Sequence, residues 1–295
     1  MIASADKKSG FSQDPVSVNG VDPAVYGEDY YRDIDRGSES MSHPGLAAIQ
    51  RLAQHSRRIL DCGCGEGGNL SRIGAPDALR TGVEWSEEGV RRAALRPGLK
   101  VVRADIRRMP FPDGAFDFVF SAYVLEHTTE PTAVVAEMIR VLAPGGRLAL
   151  LCPNYGSPFF CSPCSRANPW WRAIRLALRD IFIGWRSRRA LLWEPVAPIA
   201  TAGHWSSDWD TTVEPALIPL LHHLRAREEL RVVQADSFWR PPPAIAPDAL
   251  RIKRLKHRIR SAVANSPLCR MPWVRYWGLD LFVVLEKGRP GGETP

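Results

Sequence analysis

The stretch Ile59-Leu60-Asp61-Cys62-Gly63-Cys64-Gly65-Glu66-Gly67 carries an apolar run into a glycine-rich turn flanked by two carboxylates. Glycine lets a backbone approach a ligand closely, and a helix opening after such a turn offers free N–H groups to a carboxylate or phosphate. Gly63, Gly65 and Gly68 also satisfy GxGxxG, so a dinucleotide enzyme is one reading of the loop taken alone. Glu84 lies nineteen residues after Gly65, where an acid can accept hydrogen bonds from both hydroxyls of a ribose. Asp105, in Ala104-Asp105-Ile106, is placed to accept from an adenine amino group. Two histidines are candidate proton acceptors for a hydroxyl substrate: His127, ending Tyr123-Val124-Leu125-Glu126-His127, and His204, in Gly203-His204-Trp205. For His127 a structural or gating role is the competing reading. For His204 it is a surface loop anchored by Trp205 and Trp209. Asn154, Tyr155 and Trp205 are candidate walls of an acceptor pocket.

These residues need a scaffold. From Arg57 to Pro153 short apolar runs alternate with helical stretches, which predicts a parallel sheet with crossover helices. Strands are expected at 58–62, 80–85, 99–103, 116–121 and 146–152, and helices near 67–75, 86–95 and 131–142. Two covering helices are expected at 24–34 and 44–55. Beyond Pro153 the rhythm breaks into loops rich in Pro and Trp around a basic apolar stretch, 170–193. A helix at 214–224, a strand at 230–238, a basic helix at 247–264 and a closing strand at 279–286 follow.

The series DCGCGEG, Glu84, ADIRRMPFPDGAFDFV, YVLEH and RVLAPGGRLALLCPN resembles the class I methyltransferases of the methyltransferase type 11 group, which use S-adenosyl-L-methionine. The resemblance is close over residues 57–154 and weak over DLFVVLEK at the closing strand. It implies an α/β fold: a Rossmann-like seven-stranded sheet with helices on both faces and the last strand antiparallel. It also implies roles. Asp61, Gly63 and Gly65 would hold the methionine end of the cofactor, and Glu84 the ribose. Trp85 and Ile106 would pack on the adenine and Asp105 would meet its edge. Ser121 or Ala122 would face the sulfonium, with Tyr30 or Tyr31 as a cover. The nicotinamide reading loses ground here, because its fingerprint lacks the PGG turn and the YVLEH element.

The net charge of +7 is uneven. Residues 165–195 hold seven arginines against Asp180 and Glu194, and residues 247–275 hold eight Lys and Arg against Asp248, so the rest of the chain carries −5. Nine of the ten tryptophans also lie after Cys152. Basic apolar segments bordered by Trp suit an anionic membrane surface. The competing reading is a substrate lid with solvated arginines. Nucleic acid fits less well, since the place after the fourth strand reads Ser121-Ala122-Tyr123-Val124 and not a proline-rich aromatic motif. Six cysteines in 295 residues make no disulfide scaffold, and one CxxC, Cys161 and Cys164, lacks a second pair for a metal, so no metal is expected.

The expected organisation is a flexible tail at 1–20 and one domain at 21–288, with a second tail at 289–295. Within the domain, 21–56 covers the sheet, 57–154 binds the cofactor, and 155–212 and 240–277 are basic acceptor or lid insertions. The expected protein is cytoplasmic, or peripheral to the inner face of the membrane. It would methylate a hydroxyl of a small-molecule, glycan or lipid-linked acceptor. The alternatives are a soluble secondary-metabolite O- or C-methyltransferase and a non-catalytic S-adenosylmethionine-binding protein.

Overall fold

The structure is a computed structural model, and it describes residues 27–28, 30–31, 43–157, 160–166, 169–182, 191, 193–199, 208–239, 258–259, 261–271 and 274–289. In chain order the elements are α1 (Pro44–Ala53), β1 (Arg58–Cys62), β2 (Leu79–Glu84), α2 (Glu87–Ala93), β3 (Leu99–Arg103), β4 (Phe116–Ala122), α3 (Pro131–Val141) and β5 (Leu142–Pro153). Then come α4 (Pro169–Phe182), β6 (Glu194–Pro195), β7 (Val213–Glu214), α5 (Leu217–Arg225), β8 (Leu230–Phe238) and β9 (Asp280–Lys287). Seven strands form one sheet in the order β3-β2-β1-β4-β5-β9-β8, and β6 pairs with β7 in a separate two-stranded ribbon. The first five sheet strands are parallel, while β9 runs antiparallel to both β5 and β8. This is the seven-stranded sheet that the sequence implied, with its last strand reversed.

Side chains alternate across a strand, so each central strand feeds two cores. Leu60, Val119, Leu148, Leu150 and Val283 face one side, where α3 contributes Val134, Val135, Met138 and Ile139 and α5 contributes Leu217, Leu220, Leu221 and Leu224. Ile59, Phe118, Phe120, Ala149, Leu151 and Phe282 face the other, covered by Leu46, Ile49 and Ala53 of α1. Each fully buried aliphatic side chain contributes about 1.5–3 kcal/mol, enough to hold both layers on the sheet. Caps fix the helix starts: the Ser86 side chain accepts from Gly89 N, and Pro131 occupies the first turn of α3.

Two expectations change. The helix expected at 67–75 is a single 3-10 turn, Leu70–Arg72. Gly67 and Gly74 stand at φ +80° and +87°, in left-handed conformations that bracket the segment and stop a helix from propagating. The fifth strand begins at Leu142 and not at 146, because Phe116 already pairs with Leu142 before a bulge shifts the register between Phe116 and Phe118. The expected covering helix at 24–34 and the basic helix at 247–264 fall mostly outside the described residues.

Candidate active site

Strand order reverses between β1 and β4, and the crevice at the carboxyl ends of a parallel sheet opens at such a switch point. The glycine loop sits there. Gly63 N and Cys64 N both donate to Val83 O, at 2.8 and 3.0 Å, which folds the loop over the end of β2. Gly63 and Gly65 take φ of +81° and +54°, and a Cβ at Gly63 would lie 2.5 Å from Val124 Cγ2. Glu84, the last residue of β2, accepts from Gly65 N at 2.9 Å through Oε2 and from Ser86 N at 2.8 Å through Oε1. Burial raises its pKa, against the backbone hydrogen bonds and a hydrogen bond from the Tyr31 hydroxyl. Tyr31 is 2% exposed, and its ring lies over Gly65, so it closes the loop from above. Tyr30 packs edge-on against it, with ring centroids 5.0 Å apart.

Asp61, at the end of β1, is buried. Burial, with Glu84 and Glu66 nearby, pushes its carboxyl well above the usual range. Asp61, Glu66 and Glu84 thus crowd acidic groups at the loop, and a bound cation would favour their charged forms. Ser121 Oγ donates to Cys62 O at 3.0 Å, tying the end of β4 to the same turn. Trp85 is exposed, Ala122 and Ile106 are half-buried against the core, and the Asp105 carboxylate holds Arg107 at 2.7 Å. The structure therefore gathers Asp61, Gly63, Gly65, Glu84 and Ser121 around one loop, with Tyr31 above it and Trp85 at its rim.

Past β4 lies a second polar group. His127 Nδ1 is 3.3 Å from Asp210 Oδ2, and its Nε2 is 3.8 Å from Glu126 Oε1. Burial opposes charging of His127, but Asp210, Glu126 and Asp208 outweigh it and raise the pKa above the ordinary value. Burial pushes Glu126 up to about 8, His127 opposing and the aspartates adding to the shift. The loop carrying Asp210 is pinned in place by Thr212, whose N donates to Glu126 O at 2.8 Å. Asp208 turns that loop at φ +65°. Tyr155 is fully buried and stacks on Phe160. Asn154 is 1% exposed; Nδ2 donates to Tyr276 O and Gly278 O, and Oδ1 accepts from Leu217 N. Its polar atoms brace the frame around the site. His204 and Trp205 lie outside the described residues.

Sequence reasoning missed Asp210 and a third cluster. Tyr123 Oη lies 3.0 Å from His43 Nε2 and donates to Asp280 Oδ1 at 3.3 Å, while His43 Nδ1 accepts from Gly45 N. Tyr123 stands at φ +60°, an unusual conformation for an aromatic residue and the only visible mark of the cluster near the motif. His43 and Asp280 come from opposite ends of the chain, so no local spacing joins them.

Residues 60–150 match the family model described as methyltransferase domain. The chain is 34% identical over 164 residues to sterol 24-C-methyltransferase erg-4 of Neurospora crassa, covering 52% of this chain and 39% of that one. It is 40% identical over 101 residues to 27-O-demethylrifamycin SV methyltransferase of Amycolatopsis mediterranei, covering 32% and 37%. The matched regions span about a third to a half of the length of such curated relatives. Among solved structures, the putative methyltransferase crystallised with the Haloferax volcanii Trm112 activator superposes with a TM-score of 0.56 at 17% identity, covering 94% of this chain and 100% of that one. The match thus places a methyltransferase domain of the S-adenosylmethionine-dependent kind in residues 60–150, within the fold of solved methyltransferases. The cofactor fits the residues present: its ammonium and sulfonium are cations suited to the carboxylate-lined loop, and the left-handed glycines leave the loop without Cβ atoms where it would approach.

Proposed function

We propose that this protein methylates a hydroxyl of a small-molecule, glycan or lipid-linked acceptor presented at a membrane surface, with His127 as the base. S-adenosylmethionine, when bound, supplies an electrophilic methyl group. The residues do the rest. Asp61 and the loop at Gly63 and Gly65 bind the methionine end, Glu84 binds the ribose diol, and Trp85, Asp105 and Ile106 receive the adenine. Ser121 and Ala122 line the path toward the acceptor. Displacement from a sulfonium needs alignment and exclusion of water above all. A hydroxyl acceptor must also lose its proton, and His127 would take it. The observation that carries this reading is the Asp210 carboxylate 3.3 Å from His127 Nδ1, whose charge makes the ring a stronger base. Asn154, Tyr155 and Trp205 belong to the acceptor side, and His204 is the alternative base.

The relatives' names span a sterol carbon and a rifamycin oxygen, so the shared core does not fix the acceptor. Incubating the purified protein with methyl-labelled cofactor and extracts of the source cells, then separating lipids, polymers and small molecules, tests the proposal. Label in the lipid or glycolipid fraction, lost in His127→Ala while cofactor affinity stays intact, is the expected result. Undiminished transfer by His127→Ala would remove His127 as the base. Label confined to small soluble products would remove the membrane acceptor.

A further inference from the structure

Resting on the methyltransferase reading, we propose that α4 lies flat on an anionic lipid surface and inserts Trp171, Ile174 and Leu178 among the lipids. One face of α4 is anchored. Arg172 and Leu176 are buried, and Arg172 donates to Glu214 Oε2 through Nε and Nη2, at 3.2 and 3.0 Å, and to Phe160 O and Tyr155 O. The opposite face should then be polar. Instead Trp171 is 72% exposed, Ile174 49% and Leu178 50%, and their spacing of three and four residues sets them in one stripe. Arg175, its side chain 58% exposed beside Glu194, lies on the flank between the stripe and the anchored face, while Arg179 on the same flank is largely buried against Asp180. The Arg175 stem can run along the stripe while its guanidinium exchanges Glu194 for a phosphate.

A second exposed apolar group accompanies the first. Leu268, Met271 and Trp277 are exposed around Arg270, in the short turns Pro267–Arg270 and Val274–Trp277. Both groups hang on the segment that leaves β5. Asn154 and Ser157 hold the carbonyls of Tyr276, Gly278 and Trp277, while the carbonyls of Tyr155 and Phe160 hold Arg172. That segment stands at the carboxyl end of the sheet, beside His127. A bilayer touching both groups would face the acceptor side.

The basic flanks select the occupant. A protein partner could cover an apolar stripe, but exposed Arg175 on its border and exposed Arg270 within the second group, together with Trp171 and Trp277, complement an anionic headgroup layer. The contact is interfacial: no helix among the described residues is long and apolar enough to cross a membrane.

The test sediments the full chain with vesicles of phosphatidylcholine, alone or with about one-third phosphatidylglycerol. The wild type should bind the anionic vesicles, release with salt, and ignore the neutral ones. The triple change Trp171→Ser, Ile174→Ser and Leu178→Ser should lower partitioning about tenfold or more while melting temperature and cofactor affinity stay unchanged. Absence of wild-type binding, or equal binding by the variant, overturns the proposal. So does a self-association lost in the variant without any vesicle binding, which would assign the stripe to a second copy. Failure of both proteins to bind S-adenosylmethionine would instead strike the methyltransferase reading, leaving the vesicle result to judge α4 alone.

Discussion

Replacing Gly63 and Gly65 separately by alanine asks whether the loop stands as described. Both residues have positive φ, which costs an L-residue about 1–2 kcal/mol. The surroundings then part them. At Gly63 the new Cβ would lie 2.5 and 2.7 Å from the two Cγ atoms of Val124, so that side chain or the loop must shift. Overpacking of this kind adds about 1–3 kcal/mol. At Gly65 the nearest atom is Tyr31 Cε1 at 3.6 Å, an ordinary contact, so strain alone remains. The gain from a stiffer unfolded chain applies to both and cancels in their difference.

Gly63→Ala should therefore be about 1–3 kcal/mol less stable than Gly65→Ala. At roughly 2–4 °C per kcal/mol for a domain of this size, calorimetry will resolve that gap. Adding Val124→Ala to Gly63→Ala should recover much of the clash, visible as a favourable coupling in the double-mutant cycle. Cofactor titration should show the opposite ranking per unit of lost stability, because Gly65→Ala narrows the space between the loop and Tyr31 without unfolding anything. Equal melting losses with no rescue by Val124→Ala would refute the placement of the loop against Val124.

Glu84→Ala leaves Gly65 N and Ser86 N without their acceptor and removes the proposed ribose ligand, so cofactor affinity measured by calorimetry should fall about tenfold or more. Asp210→Asn removes the leading charge that raises His127. The rising limb of kcat/KM against pH, which requires neutral His127, should then move to lower pH, and an unmoved limb would remove Asp210 from the site. Glu126 holds its proton to about pH 8 when folded, against about 4.3 in an unfolded chain, so the folded state binds more protons between those values. Stability should accordingly fall as pH rises from about 5 to 8, and Glu126→Gln should flatten that slope in urea titrations. Arg172→Met strands the buried Glu214 carboxylate and should cost about 3–5 kcal/mol, read as a lower urea midpoint at unchanged slope.

The cofactor half was legible because its signals are local. The strand at Arg58–Cys62 alternates between two cores, and its glycine turn is written in consecutive residues, so both boundaries come directly from the pattern. Leu99–Arg103 and Leu230–Phe238 were equally plain. The helix expected at 67–75 failed because periodicity registers apolar spacing and not the sign of φ at Gly67 and Gly74. The acceptor side was less legible for a different reason. Asp210 acts on His127 across a separation of eighty-three residues, and a loop acid carries no period that would link it to a distant imidazole.

The same contrast explains how such a chain can keep one core and change its acceptor. The loop, Glu84 and Ser121 are fixed by strands that bury both faces, so a change there disturbs the sheet itself. Asp208 and Asp210 sit instead on a loop whose ties among the described residues include those of Thr212 to Glu126 O, of the Cys164 thiol to Asp208 O and Trp209 O, and of Val196 N and Ile199 N to Thr212 O and Trp209 O. That loop leads through β7 to Glu214, the buried partner of Arg172 on α4. His127, the loop of Asp208 and Asp210 and the exposed stripe of α4 are thereby joined by a short run of chain and the Arg172–Glu214 pair. A movement of α4 on docking would be transmitted through Arg172 and Glu214 to Asp210. Arg172→Met should then weaken the response of turnover to anionic vesicles beyond its effect on stability, and an unchanged response would separate the surface from the site.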